Sequence, residues 1–300
     1  MMPRKLNCVL LGSVKSSEAA LWALLKNENV DVTAVVGLRD SNFNTDFVDI
    51  LEIAASKKKQ FFSYNEIGER ALIRFIKEKN VDLLFVVGWS KLISVQLITS
   101  AKLGTVGYHP AFLPQNRGRH PIIWSLVLGL SETASTFFLL EKYADCGPIL
   151  NQKVLSIEHD DYAASLYAKL LKMIPEQIDD IIFSFMSGTM KPVAQDNIQA
   201  NYLRKRSRED GLIDWRMATF SIYNLVRALS KPYPGAEMIH NGEYVKIWSV
   251  LKYSAEVAAN IEPGKVIYLS PLGPIVKTGD GALCLTKMDP KLKLAVGDYL

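Results

Sequence analysis

The chain has 300 residues, 49% of them apolar and 22% charged, with a formal net charge of +4. This is the composition of a soluble globular protein, long enough for two domains and a sizeable core. So small a charge gives no compositional case for nucleic-acid binding, although positive charge gathers at Arg204, Lys205, Arg206 and Arg208.

In chain order, Asn7–Gly12 (NCVLLG) reads as a buried strand ending in a turn, and Ser16–Lys26 has helical spacing. Arg4 and Lys5 precede the apolar run Cys8–Leu11, but that run is too short for a signal peptide. Val30–Gly37 is a second strand, Phe47–Lys57 a helix, Gln60–Ser63 a short strand and Ile67–Lys79 an amphipathic helix. Val81–Gly88 (VDLLFVVG) is the strongest buried strand, and Leu103–His109 follows. Strands alternating with helices imply a doubly wound, mostly parallel α/β sheet of Rossmann type, with ligands at the carboxyl ends of its strands.

Ser135–Leu140 and Leu150–Ile157 are β-like, and Tyr162–Met186 is a long helix with a break expected at Pro175. The polar stretch Lys191–Arg208 reads as a linker. After the helix Thr219–Leu229 come short strands at Ala236–His240, Tyr244–Tyr253, Lys265–Tyr268, Ile275–Thr278 and Ala282–Lys287. Their number argues for a small antiparallel barrel of OB-like kind, with domains at 1–200 and 201–300. Cys8, Cys146 and Cys284 form no CxxC pair, which points to a reduced compartment without disulfides and without a metal site. No stretch approaches the roughly 18 apolar residues of a membrane span, so the cytoplasm is the expected location.

The richest segment is Gly107–Pro121, GYHPAFLPQNRGRHP, which leaves a buried strand and enters a rigid, cationic loop. Arg117 and Arg119 can form forked hydrogen bonds to phosphate, and Gly118 permits close backbone approach. His109 stands at the strand end, where a lone histidine is more often a capping residue than a catalyst. Asp145, in YADCGPIL, taken alone is a turn residue. The two together are more specific than either. Trp124, in PIIWSL, reads as a helix residue facing the core.

The run HPxxLPxxRGRxPIxW, followed by ADxGxI with its aspartate 36 positions after the histidine, resembles the formyltransferase superfamily that uses 10-formyltetrahydrofolate. Lys205–Trp215 (KRSREDGLIDW), Ile222–Leu229 (IYNLVRAL), Pro232–Ala236 (PYPGA) and Thr278–Leu285 (TGDGALCL) extend the resemblance to nearly the whole chain. They are similar to segments of methionyl-tRNA and sugar-nucleotide formyltransferases. The resemblance implies His109 and Asp145 as the catalytic pair. It also implies a folate site at Gly88, Trp89, Ser90 and Leu92, closed by Leu140 and Ala144. The family's Asn-x-His is incomplete here, because Gly107 replaces the asparagine. One lost oxyanion donor is worth roughly 3 kcal/mol; Ser135, Asn116, His120 or a water are candidate replacements.

The implied reaction is transfer of a formyl group to the amine of a UDP- or dTDP-linked 4-amino-4,6-dideoxy sugar, for a surface glycan. Arg117, His120 and Lys15 are its candidate contacts. The competing acceptor is initiator methionyl-tRNA, whose enzymes insert a basic loop after the second strand. Here that place reads LRDSNFNTDF, with Arg39 beside Asp40 and Asp46, so a tRNA partner is expected only under this alternative. A homodimer is left open. A degenerate folate- or nucleotide-binding protein is a third reading, which the intact His109 and Asp145 oppose. A nicotinamide enzyme is disfavoured because GSVKSSE has one glycine where G-x-G-x-x-G needs three.

Overall fold

A computed structural model describes residues 4–40 and 45–300, so residues 41–44 of the LRDSNFNTDF segment lie outside the described residues. The chain divides into two units. The first comprises Met1–Pro121, Thr133–Leu155 and Ala168–Leu203, and the second Ile122–Glu132, Ser156–Tyr167 and Arg204–Leu300.

The first unit opens with β1 (Leu6–Leu11), α1 (Lys15–Lys26), β2 (Val30–Gly37), α2 (Ile50–Ser56), β3 (Phe61–Ser63), α3 (Tyr64–Glu78) and β4 (Leu83–Val86). Then come α4 (Val95–Ile98), β5 (Gly104–His109) and β6 (Arg117–Gly118). The helix α5 (Pro121–Val127), whose residues after Pro121 belong to the second unit, starts on a proline, whose missing N–H costs nothing at a first helical position. β7 (Glu132–Leu139), β8 (Ile149–Ser156), α6 (Ala163–Met186) and β9 (Tyr202–Leu203) follow. Seven strands form one sheet in the order β3-β2-β1-β4-β5-β7-β8. The pairings from β3 to β5 are parallel, and β7 runs antiparallel to β5.

Alternation along β1 explains why both sheet faces are covered. Cys8 and Leu10 pack with Leu21 and Leu24 of α1 and Ile174 and Ile178 of α6. Val9 and Leu11 pack with Leu72 and Ile76 of α3. The helix expected over Phe47–Lys57 starts later, because the Asp49 carboxylate caps it by accepting from Leu51 N at 2.9 Å, while Phe47 bridges to Val14. The break expected at Pro175 is absent. Pro175 lies inside continuous α6, whose buried Ile174, Ile178, Ile181 and Ile182 hold the helix on the sheet.

The second unit continues with α7 (Thr219–Leu229), then β10 (Ala236–His240), β11 (Glu243–Lys252), β12 (Val266–Ser270), β13 (Gly273–Lys277) and β14 (Ala282–Asp289). These five strands make an antiparallel sheet in the order β10-β11-β14-β13-β12. Trp124 does not face the core as expected. Its indole Nε1 donates to Arg204 O at 3.0 Å, and the Arg206 guanidinium lies 4.6 Å from its ring centroid. Among the described residues no helix is long and apolar enough to cross a membrane, and all three cysteines are unpaired.

Candidate active site

Strand β5 carries Gly107 and His109 on one face, and its end is fixed by neighbouring strands. Thr136 Oγ1 donates to Ala111 O at 2.7 Å, and Gln152 Nε2 donates to Leu113 O at 2.9 Å. His109 is 6% exposed. Its Nε2 lies 2.8 Å from the carbonyl oxygen of Asn116. A carbonyl only accepts, so this contact assigns the proton to Nε2 and leaves the Nδ1 lone pair bare in the neutral ring. Nδ1 faces Asp145 Oδ1 at 3.9 Å, within ion-pair range but beyond a hydrogen bond. The other carboxylate oxygen, Oδ2, accepts from Gly118 N at 2.8 Å. The structure therefore brings His109 and Asp145 together.

Beside the pair, where β1 and β4 diverge in the sheet order, lies a cavity of about 340 Å³. Gly88, Trp89, Ser90, Leu92, Leu140 and Ala144, the six expected folate contacts, all line it, as does Asp145; His109 does not. Gly88 has a left-handed φ of 63°, and a Cβ there would meet Val14 Cγ2 at 2.2 Å. Trp89 packs edge-on against Tyr64 with centroids 4.7 Å apart, and its Nε1 is buried without a partner among the described residues. Burial, reinforced by the hydrogen bond to Glu69, pushes the Tyr64 phenol up to about 12. Leu92 is 87% exposed at the mouth. Lys142 and Tyr143, within the expected closing segment Leu140–Asp145, also line the cavity, as do Asp46 and Lys91, which were not expected as folate contacts.

At Gly107 a Cβ would meet Leu140 Cδ2 at 2.4 Å and Phe138 Cζ at 3.1 Å. The space that the family's asparagine would use is filled by leucine. Ser135 cannot replace the missing amide: it is fully buried, donates its one proton to Gln177 Oε1 at 2.5 Å and has Tyr108 OH 3.2 Å away. Asn116 contributes its carbonyl to His109. His120, with a φ of 56°, and Lys15, exposed at the first position of α1, are both outside the cavity lining. Cys146 is a thiol that donates to Tyr143 O at 3.0 Å, and burial followed by the charge of Glu141 raises its pKa, which argues against a thiolate nucleophile.

The expectation that Arg117 contacts substrate is corrected. It is 2% exposed. Its Nε and one terminal nitrogen donate to Gln195 Oε1 at 3.1 and 2.8 Å; the guanidinium also reaches Asn197 Oδ1 and Tyr202 OH, each at 2.9 Å. The stretch expected as linker is thus partly ordered onto the site, with β9 pairing in parallel with β6. Arg119 extends to the cavity rim instead, donating to Ser90 O at 3.2 Å. Among the described residues no group of three His, Cys, Asp or Glu side chains could hold a metal.

The chain matches the formyl transferase family over residues 6–180 and the formyl transferase C-terminal domain over residues 205–299. It is 29% identical over 302 residues to a methionyl-tRNA formyltransferase of Caldanaerobacter subterraneus subsp. tengcongensis, covering 97% of this chain and 95% of that protein. An N-formyltransferase from Helicobacter canadensis, solved with folinic acid and dTDP-3-aminofucose, superposes with a TM-score of 0.72 at 18% identity, covering 93% of this chain and 99% of that one. HypX from Aquifex aeolicus superposes with a TM-score of 0.66 at 20% identity over 95% of this chain, which spans 44% of the HypX chain. The chain belongs to the formyl transferase family and is an enzyme that transfers a formyl group.

Proposed function

We propose that this member of the formyl transferase family moves a formyl group from 10-formyltetrahydrofolate to the amine of a UDP- or dTDP-linked 4-amino-4,6-dideoxy sugar, with His109 and Asp145 as the catalytic pair. The observation that carries the reading is the pair itself, with Asp145 lining the cavity and His109 Nδ1 3.9 Å from its carboxylate. The cavity suits a folate: about 340 Å³ lies within the range of about 300–1,000 Å³ usual for small-ligand sites. Its walls mix Val86, Ile93, Ile98, Phe138 and Leu140 with polar groups, and Trp89 Nε1 is a buried donor without an acceptor among the described residues. Gly88, Trp89, Ser90, Leu92, Leu140 and Ala144 would hold the folate.

When bound, the formyl folate supplies an electrophilic carbon whose oxygen gains negative charge as an amine attacks. The chain's part is to take the amine proton and return one to the folate nitrogen as its bond to the formyl carbon breaks and tetrahydrofolate leaves. His109 accepts at Nδ1, because Nε2 is already protonated against Asn116 O. The imidazolium so formed faces the Asp145 carboxylate, which favours the charged ring. Gly118 N holds that carboxylate in place. Gly107 adds no side-chain donor, so the charged ring carries more of the electrostatic work than in relatives with the asparagine.

A sugar acceptor is supported by the fate of the basic cluster. Arg204 donates to Asp210 at 2.7 Å, and Arg208 pairs with Glu237 at 2.6 Å and stacks on Tyr244. Arg206 stacks on Trp124. Guanidiniums engaged in this way offer little free charge to a polyanion. The full-length relationship to a methionyl-tRNA formyltransferase favours the second reading, in which the acceptor is initiator methionyl-tRNA. One assay separates them. The protein is incubated with 10-formyltetrahydrofolate and either dTDP- and UDP-linked amino sugars or methionyl-tRNA, and release of tetrahydrofolate is followed. Turnover with a sugar nucleotide is expected. Turnover with methionyl-tRNA alone overturns the acceptor assignment, and turnover with neither overturns both.

A further inference from the structure

We infer that Gln195–Leu203 is a positioning strap for the His109–Asp145 pair, anchored by the buried guanidinium of Arg117; this rests on the catalytic reading of that pair. The two groups facing the His109 nitrogens both come from residues in a left-handed backbone conformation, uncommon for L residues although Asn and Asp tolerate it best. Asn116, whose carbonyl accepts the hydrogen bond from Nε2–H, has a φ of 61°, and Asp145, facing Nδ1, has a φ of 57°. Such conformations persist where surrounding contacts over-determine them. Here the contacts come from the strap. Asn201 Oδ1 accepts from Asn116 N at 2.8 Å. Gln195 Nε2 donates to both Asp145 O, at 3.0 Å, and Gly147 O, at 2.7 Å.

Backbone bonds lay the strap along the loop that carries these groups. Arg117 N donates to Asn201 O at 3.1 Å, and Arg119 N to Leu203 O at 3.0 Å. The approach is so close that a Cβ on Gly118 would stand 2.3 Å from Leu203 O. Gly118 in turn holds the Asp145 carboxylate. The Arg117 side chain ties the layers together, because its acceptors, Gln195, Asn197 and Tyr202, all belong to the strap. Among the described residues Arg117 has no carboxylate partner within 4 Å. Its charge is felt next to Asp145, where it opposes the rise of the Cys146 thiol. The strap lies between the two matched family segments, 6–180 and 205–299. Asn201 is exposed and Gln195 half-buried, so substitutions there leave the core packing intact.

The test uses the full chain labelled with ¹⁵N in its histidine rings. In the wild type His109 is expected as the Nε2–H tautomer. Gln195→Ala and Asn201→Ala should mix its tautomers and lower turnover about 10- to 100-fold, with 5-formyltetrahydrofolate binding changed by less than about twofold. Gln195→Glu keeps the acceptor for Arg117 but loses the donor to Asp145 O and Gly147 O, and should behave like Gln195→Ala. Arg117→Lys, which loses the planar fork whose three nitrogens reach Gln195, Asn197 and Tyr202, should do the same. Unchanged His109 ring signals in the folded Gln195 and Asn201 variants overturn the strap. So does wild-type turnover in those variants when His109→Asn has lost it. Wild-type turnover in His109→Asn overturns the catalytic pair and the strap together.

Discussion

On one side of the cavity in the first unit, every reacting group proposed is fixed twice over. Asn116 and Gly118 bracket His109 and Asp145, and Gln195 and Asn201 hold the backbone that presents them. On the other side, Trp89–Ile93 form an open loop with Leu92 largely in solvent and the Trp89 indole nitrogen without a partner among the described residues. Charge development needs donors and acceptors set before reaction, since reorganisation is what the barrier would otherwise include. A flat conjugated ring needs only apolar surface and a few donors. Substitutions on the two sides should therefore separate kcat from KM.

The sharpest break in this contrast is at the stiff wall. His109→Asn and Asp145→Asn should each lower single-turnover rates by about 100-fold or more, with little change in thermal stability. Rates near wild type in either variant would refute the pair. At the seam between the walls, Gly107→Asn drives a Cβ into Leu140 Cδ2, so urea unfolding should show a loss of about 1–3 kcal/mol. Adding Leu140→Ala should recover most of it, and a double variant no more stable than the single would show that leucine does not fill this space. The smallest effect belongs to the open wall. Leu92→Ala should raise KM for the formyl folate by about three- to tenfold at unchanged kcat. A fall in kcat instead would erase the division between walls.

What could be seen in the sequence follows from locality. Leu83–Phe85 is buried completely and Val86 nearly so, and this apolar run announced a central strand. Gly107 was visible as a departure from the family pattern, but Leu140 taking up the space was not, because that contact depends on β7 lying beside β5. Arg117 looked like a phosphate ligand because its acceptors stand 78 to 85 residues later, in a stretch whose polarity suggested solvent. Pro175 misled for the opposite reason. A local rule about helices was outweighed by long-range burial of four isoleucines.

The close passage of Leu203 over Gly118 also limits how the chain can be divided. Cutting at residue 180, where the first family match ends, or at 200, where composition changes, would sever the polar segment that holds the left-handed residues beside His109. An excised catalytic half should keep residues through Leu203, the last residue of the first unit. Chimeras that exchange C-terminal halves between relatives should be spliced after that point.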